Sequence, residues 1–257
     1  MVINMEYGLI GEKLGHSFSK IIHEKIASYR YELVPLTNDE FERFMSKRDF
    51  LGINVTIPYK SAVIPFLDEM DDKAKEIGAV NTIVKKSNKL IGYNTDYYGF
   101  LYTLEQNQIK VEDQKVIVLG TGGAAKSVIA VLKTLNAKDI ITVKNTATAG
   151  AITYDDCFRY HQDASVVINT SPIGMYPNID NSPMDLHNLK NLKAVVDLIY
   201  NPLKTKLLLQ GEELGLISVN GLEMLVAQAV IAAEYFLDVK FDEQVILEIY
   251  EEIKMRI

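Results

Sequence analysis

The sequence predicts a two-domain α/β protein: an N-terminal α/β domain with a mixed sheet, then a doubly wound parallel sheet, with a cleft between. Three observations predict it. Short β-branched runs alternate with helical periodicity along most of the 257 residues, as in strand–helix–strand units. In the first third this alternation ends in a hairpin, so the first sheet is mixed. A Gly-rich turn, Gly120-Thr-Gly-Gly-Ala-Ala125, then separates the apolar run Val116-Ile-Val-Leu119 from a helical pattern where a second sheet begins.

Taken in order, Tyr7-Gly-Leu-Ile-Gly11 reads as a strand entering a loop. Ser19 is a candidate cap for a helix from about Lys20 to Ala27, in which Ile21, Ile22 and Ile26 share a face. Tyr31-Glu-Leu-Val-Pro35 is a strand, and Asp39 opens a helix through about Ser46. Gly52-Ile-Asn-Val-Thr56 is a strand ending at Pro58, and Ala62 to Met70 is expected to be helical. Thr82-Ile-Val-Lys85 and Lys89-Leu-Ile-Gly-Tyr93 flank Ser87-Asn88, a hairpin signal. Asp96 to about Gln106 is a helix leaving the first domain. Strands follow at 116–119, 140–143, 165–169 and 194–197, with a helix from Ala124 to Leu135, which indicates a doubly wound sheet. Val219-Asn-Gly221 ends it, and helices run from Leu222 to Leu237 and from Glu243 to Met255. Two helices after a finished unit need something to cover. The first domain is therefore expected to comprise residues 1–100 and 221–257, and the second 101–220.

Composition excludes several classes. With 48% apolar and 24% charged residues, the chain suits a globular protein with a sizeable core. A net charge of −7 disfavours nucleic acid and anionic membrane surfaces as partners. Cys157 is the single cysteine, so no intrachain disulfide forms, and a reducing compartment fits. No run approaches a membrane span, and Met1 to Gly11 lacks a secretory leader pattern, so a cytoplasmic location is expected. No His, Cys or carboxylate spacing suggests a metal. Oligomeric state, monomer or homodimer, is not legible.

Gly120, Gly122 and Ala125 fit G-x-G-x-x-A, the turn on which a dinucleotide pyrophosphate meets a helix N-terminus. An acid about 20 residues on would select NAD. Here Lys144-Asn145-Thr146 follows the second strand, which favours the 2′-phosphate of NADP or is a solvated loop lysine. Earlier, Lys60 in Asn54-Val-Thr-Ile-Pro-Tyr-Lys60 and Asp96 in Asn94-Thr95-Asp96 are framed by Asn and Thr side chains. Alone, Lys60 reads as a surface lysine, Asp96 as a helix cap and His16 as a loop-holding residue. Together the lysine and aspartate form a proton-transfer pair among hydroxyl-binding groups. A proton donor and a dinucleotide seat are the two parts a carbonyl-reducing dehydrogenase needs.

These motifs resemble the shikimate dehydrogenase family, from about Gly8 to Ala232. Gly11-Glu-Lys-Leu-Gly-His-Ser17-Phe-Ser19 is similar to its carboxylate-binding serine motif, Asn54 to Lys60 to its catalytic-lysine motif, and Gly78-Ala-Val-Asn81-Thr82 and Asn94 to Asp96 to the stretches that follow. Asn169-Thr-Ser-Pro-Ile-Gly-Met175, Asp197-Leu-Ile-Tyr200-Asn-Pro202 and Gly221-Leu-Glu-Met224-Leu-Val-Ala-Gln228 continue the family's order. The resemblance implies a substrate domain followed by a Rossmann-like dinucleotide domain. It implies NADPH-dependent, reversible reduction of 3-dehydroshikimate to shikimate, on the way to chorismate and the aromatic amino acids. Lys60 and Asp96 would be catalytic. Ser17, Ser19 and Thr56 would hold the substrate carboxylate region, and Asn81 and Gln228 its hydroxyls, with Tyr200 nearby. Gly120, Gly122, Gly123, Ala124, Ala125, Lys144, Asn145, Thr146, Leu198, Gly221 and Met224 would bind the cofactor.

The chain departs from the family in three places, of which Lys13, Gly15 and Lys20, in place of Pro, Ala and Pro of the common serine motif, are read as loop variation that leaves the serines in place. The arginine usual after the second nucleotide-domain strand is absent, so NAD remains an alternative cofactor and Lys144 a partial substitute. Only Ala147 to Ala151 separates Thr146 from an expected strand at Ile152-Thr-Tyr154, too few residues for a crossover helix, leaving the adenine side more open. The competing readings are a quinate/shikimate dehydrogenase using NAD and a non-catalytic ligand sensor.

Overall fold

The computed structural model describes residues 5–15 and 17–257. Residues 1–4, part of the Met1–Gly11 segment expected to carry no secretory leader, and His16 lie outside the described residues. Two compact units are present, Met1–Gly99 with Val226–Ile253 and Phe100–Leu225 with Lys254–Ile257.

The first unit opens with β1 (Tyr7–Gly11), α1 (Ser19–Ile26), β2 (Tyr31–Pro35), α2 (Asn38–Lys47) and β3 (Gly52–Val55). It continues through β4 (Glu69–Met70), α3 (Asp72–Ile77), β5 (Thr82–Lys86) and β6 (Lys89–Tyr93) into α4 (Thr95–Gln106). Its six-stranded sheet has the order β2-β1-β3-β5-β6-β4 and is mixed, because β5 runs antiparallel to both β3 and β6. Thr37 begins α2 with a reciprocal capping box to Glu40. The β5–β6 hairpin closes on Ser87 and Asn88, both with positive φ (49° and 65°), as a tight two-residue turn requires. Strand alternation sorts the core. Ile10, Ile53 and Ile83 face Phe41 and Met45 of α2, while Leu9, Tyr31 and Val84 form a second cluster with Ala232 and Phe236.

The second unit contains β7 (Lys115–Leu119), α5 (Gly123–Thr134), β8 (Asp139–Val143), α6 (Tyr154–Tyr160), β9 (Val166–Asn169), β10 (Ala194–Asp197), α7 (Lys206–Glu213) and β11 (Ile217–Val219). All pairs in its sheet, ordered β11-β10-β9-β7-β8, are parallel. The chain returns to the first unit within α8 (Leu222–Leu237) and ends in α9 (Gln244–Lys254). Among the described residues no helix is long and apolar enough to cross a membrane.

Two expected elements differ. Residues 62–70 form turns, a 3-10 turn at Ile64–Phe66 and β4, not an α-helix. Pro65 has no N–H to give an α-helix. Asp68 instead pairs with Leu90, its N–H donating to the Leu90 carbonyl and its carboxylate accepting the Leu90 N–H, which draws the segment to the sheet edge. The strand expected at 152–154 shrinks to one parallel bridge, Ile152 with Val143. Thr148 and Ala151 close a tight turn before it, and Thr153 caps α6 directly after it. As expected, no helix fits between β8 and this remnant.

Candidate active site

Topology gathers the first unit's polar residues at one edge of its sheet. β1 and β3 are parallel, so the loops holding Ser17 and Ser19 and the Thr56–Lys60 segment leave adjacent carboxyl ends. β5 is antiparallel to β3, so Asn81, just before it, stands at that same edge (Asn54 opposite Thr82). β6 returns there, with Tyr93 opposite Thr82, and delivers Asp96 on the first turn of α4. An acid in a helix's first turn is favoured by the partial positive charge there.

The side chains meet. Lys60 Nζ lies 2.5 Å from Asp96 Oδ2, and the two side chains are only 14% and 10% exposed. Asn81 Nδ2 donates to Asp96 Oδ1 and to Thr95 Oγ1, both at 2.9 Å. Its Oδ1 accepts the Thr95 N–H at 2.7 Å. Thr95 Oγ1 contacts Gln228 Oε1 of α8 at 3.4 Å, which brings Gln228 to the group. The result is a shielded ammonium–carboxylate pair whose carboxylate is oriented by an amide. Such a pair can pass a proton to or from a hydroxyl and neutralise charge on its oxygen.

Two cap assignments are corrected. Ser19 does not cap α1: Phe18 holds the cap position, and Ser19 begins the helix with its N–H on Ser17 Oγ at 3.2 Å. Ser17 Oγ also contacts Ser19 Oγ at 3.0 Å, so the two hydroxyls form one cluster. Asp96 read alone as a cap is likewise displaced, since Asn94 Oδ1 accepts the Tyr97 N–H at 3.1 Å and leaves the Asp96 carboxylate to Lys60 and Asn81. His16 lies outside the described residues.

In the second unit the expected cofactor residues lie at the carboxyl ends of the parallel strands. Gly120 and Gly122 follow β7, and Gly123, Ala124 and Ala125 form the first turn of α5. Lys144, Asn145 and Thr146 follow β8; Leu198 and Tyr200 follow β10; Gly221 and Met224 flank the start of α8. Ligands of doubly wound sheets bind at this end, where strand order reverses. Gly120 has φ +109°, and a Cβ there would stand 2.7 Å from Thr170 Oγ1 across that reversal. At Gly122, the α5 cap, no protein atom lies within 4 Å of an added Cβ. The protein's own packing therefore does not demand that glycine, whereas close approach of a pyrophosphate to backbone N–H groups does, so these residues fit a dinucleotide.

The supports of both regions are not assigned by the sequence reading. Asp197, fully buried, accepts Asn169 Nδ2 at 2.9 Å, the Ile199 N–H at 3.1 Å and Thr205 Oγ1 at 2.7 Å, tying the ends of β9 and β10 to the start of α7. Burial raises its pKa to about 6 against those donors. In the first unit Tyr31, Asn54 and Thr82 form a buried polar row leading to Asn81. Asn54 and Thr82 flank recognised motifs, which is a signal; Tyr31 has none in sequence. Cys157 is buried, and burial pushes its thiol up to about 11, so it is apolar filler. Among the described residues no three His, Cys, Asp or Glu side chains are placed to hold a metal ion.

Residues 9–83 match the shikimate dehydrogenase substrate binding domain model. A shikimate dehydrogenase (NADP(+)) of Clostridium perfringens is 40% identical to this chain, over 97% of it and 98% of the relative. The chain superposes with TM-score 0.93 and 38% identity on a chorismate mutase/shikimate 5-dehydrogenase fusion protein from Clostridium acetobutylicum, covering 100% of this chain and 99% of that one. The shikimate 5-dehydrogenase of Thermus thermophilus in complex with NADP(H) and shikimate is similar at TM-score 0.86 and 25% identity, over 96% and 99% of the two chains. On its fold, its ordered motifs and these likenesses, the chain belongs to the shikimate dehydrogenase family.

Proposed function

We propose that this chain catalyses the reversible, NADPH-dependent reduction of 3-dehydroshikimate to shikimate, a step toward chorismate and the aromatic amino acids. The observation that carries this is the Lys60–Asp96 pair at 2.5 Å, oriented by Asn81 and nearly closed to solvent. Bound NADPH supplies the hydride. As charge develops on the carbonyl oxygen, the Lys60 ammonium donates the proton, and Asp96 balances the lysine's charge. In the oxidising direction the pair accepts the hydroxyl proton.

The other assignments follow the edge geometry. Ser17, Ser19 and Thr56 hold the substrate carboxylate region with hydroxyl and backbone donors. Asn81 and Gln228 bind ring hydroxyls, and Tyr200 is a further substrate-binding residue. Gly120 to Ala125 receive the pyrophosphate at the α5 N-terminus, with Leu198, Gly221 and Met224 beside the nicotinamide half. Lys144, with Asn145 and Thr146, takes the 2′-phosphate. The division into a substrate unit (1–99 and 226–253) and a dinucleotide unit (100–225 and 254–257), shifted by a few residues from the expected 1–100 with 221–257 and 101–220, accompanies these roles. The lone buried thiol fits a cytoplasmic enzyme.

No observation favours a quinate enzyme using NAD, and a ligand sensor has no use for a buried ammonium–carboxylate pair. Shikimate oxidation followed at the reduced-nicotinamide absorbance tests the proposal. Turnover of shikimate with NADP, well above that of quinate, is expected. Negligible shikimate turnover beside good quinate turnover rejects it.

A further inference from the structure

Tyr31 on β2, Asn54 on β3 and Thr82 on β5 point to one face of the first unit's sheet: in the parallel register Tyr7 pairs with Tyr31 and Leu9 with Asn54, and Asn54 faces Thr82 across the antiparallel pair. Beside them lie the apolar Leu9, Val84 and Phe236 and the buried His23 ring, whose Nδ1 bonds Tyr29 Oη at 2.6 Å. Tyr31 and Thr82 are fully buried and Asn54 is 5% exposed. Three polar groups in an apolar layer cost stability unless each is satisfied. Here they satisfy one another in a line. Tyr31 O–H donates to Asn54 Oδ1 at 2.7 Å, Asn54 Nδ2 to Thr82 Oγ1 at 3.0 Å, Thr82 Oγ1 to Asn81 Oδ1 at 3.2 Å, and Asn81 Nδ2 to Asp96 Oδ1 at 2.9 Å.

The sense of this chain is forced from its end. A carboxylate only accepts, so Asn81 turns its NH2 toward Asp96 and its oxygen back toward Thr82 and the Thr95 N–H. Thr82 accepts from Asn54, whose own oxygen accepts from Tyr31, and its hydroxyl lies within reach of both Asn81 Oδ1 at 3.2 Å and Thr95 Oγ1 at 3.1 Å. The row runs from the Tyr31 hydroxyl through Asn54 and Thr82 to Asn81 and Thr95, the two residues beside Asp96, so its bonds polarise one another in a low-dielectric layer. Tyr31 suits the far end: burial keeps its hydroxyl well above the usual tyrosine range, and the buried His23 ring stacks on it at 4.0 Å and 4°, fixing its plane.

We propose that Tyr31, Asn54 and Thr82 are positioning residues that act through Asn81 to hold the Asp96 carboxylate in the orientation that serves Lys60. This rests on the assignment of Lys60 and Asp96 above and extends it to a strand, β2, that contributes no residue to the site itself.

Two substitutions at Thr82 separate the proposal from packing. Thr82→Val keeps the volume and removes the hydroxyl; Thr82→Ser keeps the hydroxyl and removes a buried methyl. Tyr31→Phe removes only the terminal donor. For shikimate oxidation, Thr82→Val is expected to lower kcat roughly tenfold or more, with the KM for NADP within about twofold. Thr82→Ser is expected to stay within about threefold of wild type, and Tyr31→Phe to fall about threefold to tenfold. Thermal midpoints are measured on all three. Equal losses at Val and Ser, or a greater loss at Ser, would mean packing alone and overturn the proposal. A Tyr31→Phe enzyme with wild-type kcat overturns the reach to β2 even if Thr82→Val does not fold. Lys60→Ala assayed alongside keeps the two readings apart: full activity there defeats the site assignment itself.

Discussion

Replacing Lys60 by alanine removes the proposed proton donor and leaves its partner in place. Positioned acid–base groups typically contribute about 10²–10⁴ in rate, a barrier change of about 2.7–5.4 kcal/mol. The structure also bounds the cost to stability. Breaking a fully buried pair costs about 3–5 kcal/mol, because one charge is left without compensation. Asp96 is better placed than that. It keeps the Asn81 bond and the first turn of α4, and its side chain is 10% exposed rather than fully buried. The loss is then about 1–3 kcal/mol, or roughly 2–10 °C in thermal midpoint for a chain of this size. The assay is kcat and KM for shikimate at saturating NADP, beside a melting curve. The expected variant is folded, binds shikimate within a few fold, and loses about 10²–10⁴ in kcat. Because the two side chains act as a unit, adding Asp96→Asn to Lys60→Ala should cost little more than Lys60→Ala alone. A kcat within about threefold of wild type, or fully additive losses in the double variant, refutes the pair as the proton-handling group.

Other substitutions probe the second unit. A Cβ on Gly221 would stand 2.0 Å from the Leu198 carbonyl oxygen, a backbone atom that has no room to retreat, so Gly221→Ala should cost about 1–3 kcal/mol and weaken NADP binding by calorimetry. Unchanged melting and affinity would remove Gly221 from the cofactor wall. Lys144→Ala should raise the KM for NADP about tenfold while leaving that for NAD alone, since only the former carries the 2′-phosphate. An unchanged NADP-to-NAD ratio marks Lys144 as a solvated loop residue. Asp197, at about 6 when folded against 3.8 as its ordinary value, binds its proton more tightly in the native state. Native protein therefore holds more protons between those values, and stability falls as pH rises from about 4 to 6, by up to about 3 kcal/mol. Asp197→Asn should remove that slope. Parallel urea-melting curves for both proteins from pH 4 to 7 would contradict it.

How much was legible in the sequence depended on how local the determinant was. Ser87-Asn88 between alternating runs specified a hairpin because both residues tolerate positive φ, and Gly120 to Ala125 specified a strand–turn–helix because its small residues admit close approach. The helix expected at 62–70 failed for a local reason, Pro65, and for a distant one, the bonds of Asp68 to Leu90, which pair residues far apart in sequence. Ser19 was misplaced as a cap for a smaller reason: Ser17 and Ser19 are both competent hydroxyls, and only the backbone path decides which one accepts. The site shows the same division. Lys60, Asn81 and Asp96 stand out because hydrogen-bonding residues cluster around each in sequence, whereas Tyr31 looks like an ordinary strand aromatic until register carries its hydroxyl to Asn54.

An acidic chain that receives a carboxylate and phosphates has to do so locally, and the helix termini show how. The net charge is −7, so the long-range field repels such ligands. Most helices spend their N-terminal positive end on the protein's own groups. α2, α3, α4, α6 and α8 carry acids in the first turn, while Thr205 caps α7 and Asp242 accepts the Gln244 N–H at the start of α9. α5 stands apart, with no first-turn acid and no side-chain bond from its cap residue Gly122; α1 also lacks a first-turn acid, but Ser17 Oγ accepts its first N–H. These two helices start at the serine pair and at the Gly-rich turn, the positions to which the substrate carboxylate and the pyrophosphate are assigned. Withholding acids there keeps the attraction of the helix end for the ligand, and since it decays within a turn it is indifferent to the chain's overall sign. The acid-free, uncapped start of α5 thus falls at the Gly-rich turn and the acid-free start of α1 at the serine pair, although Lys60 and Asp96, the residues that carry the chemistry, belong to neither.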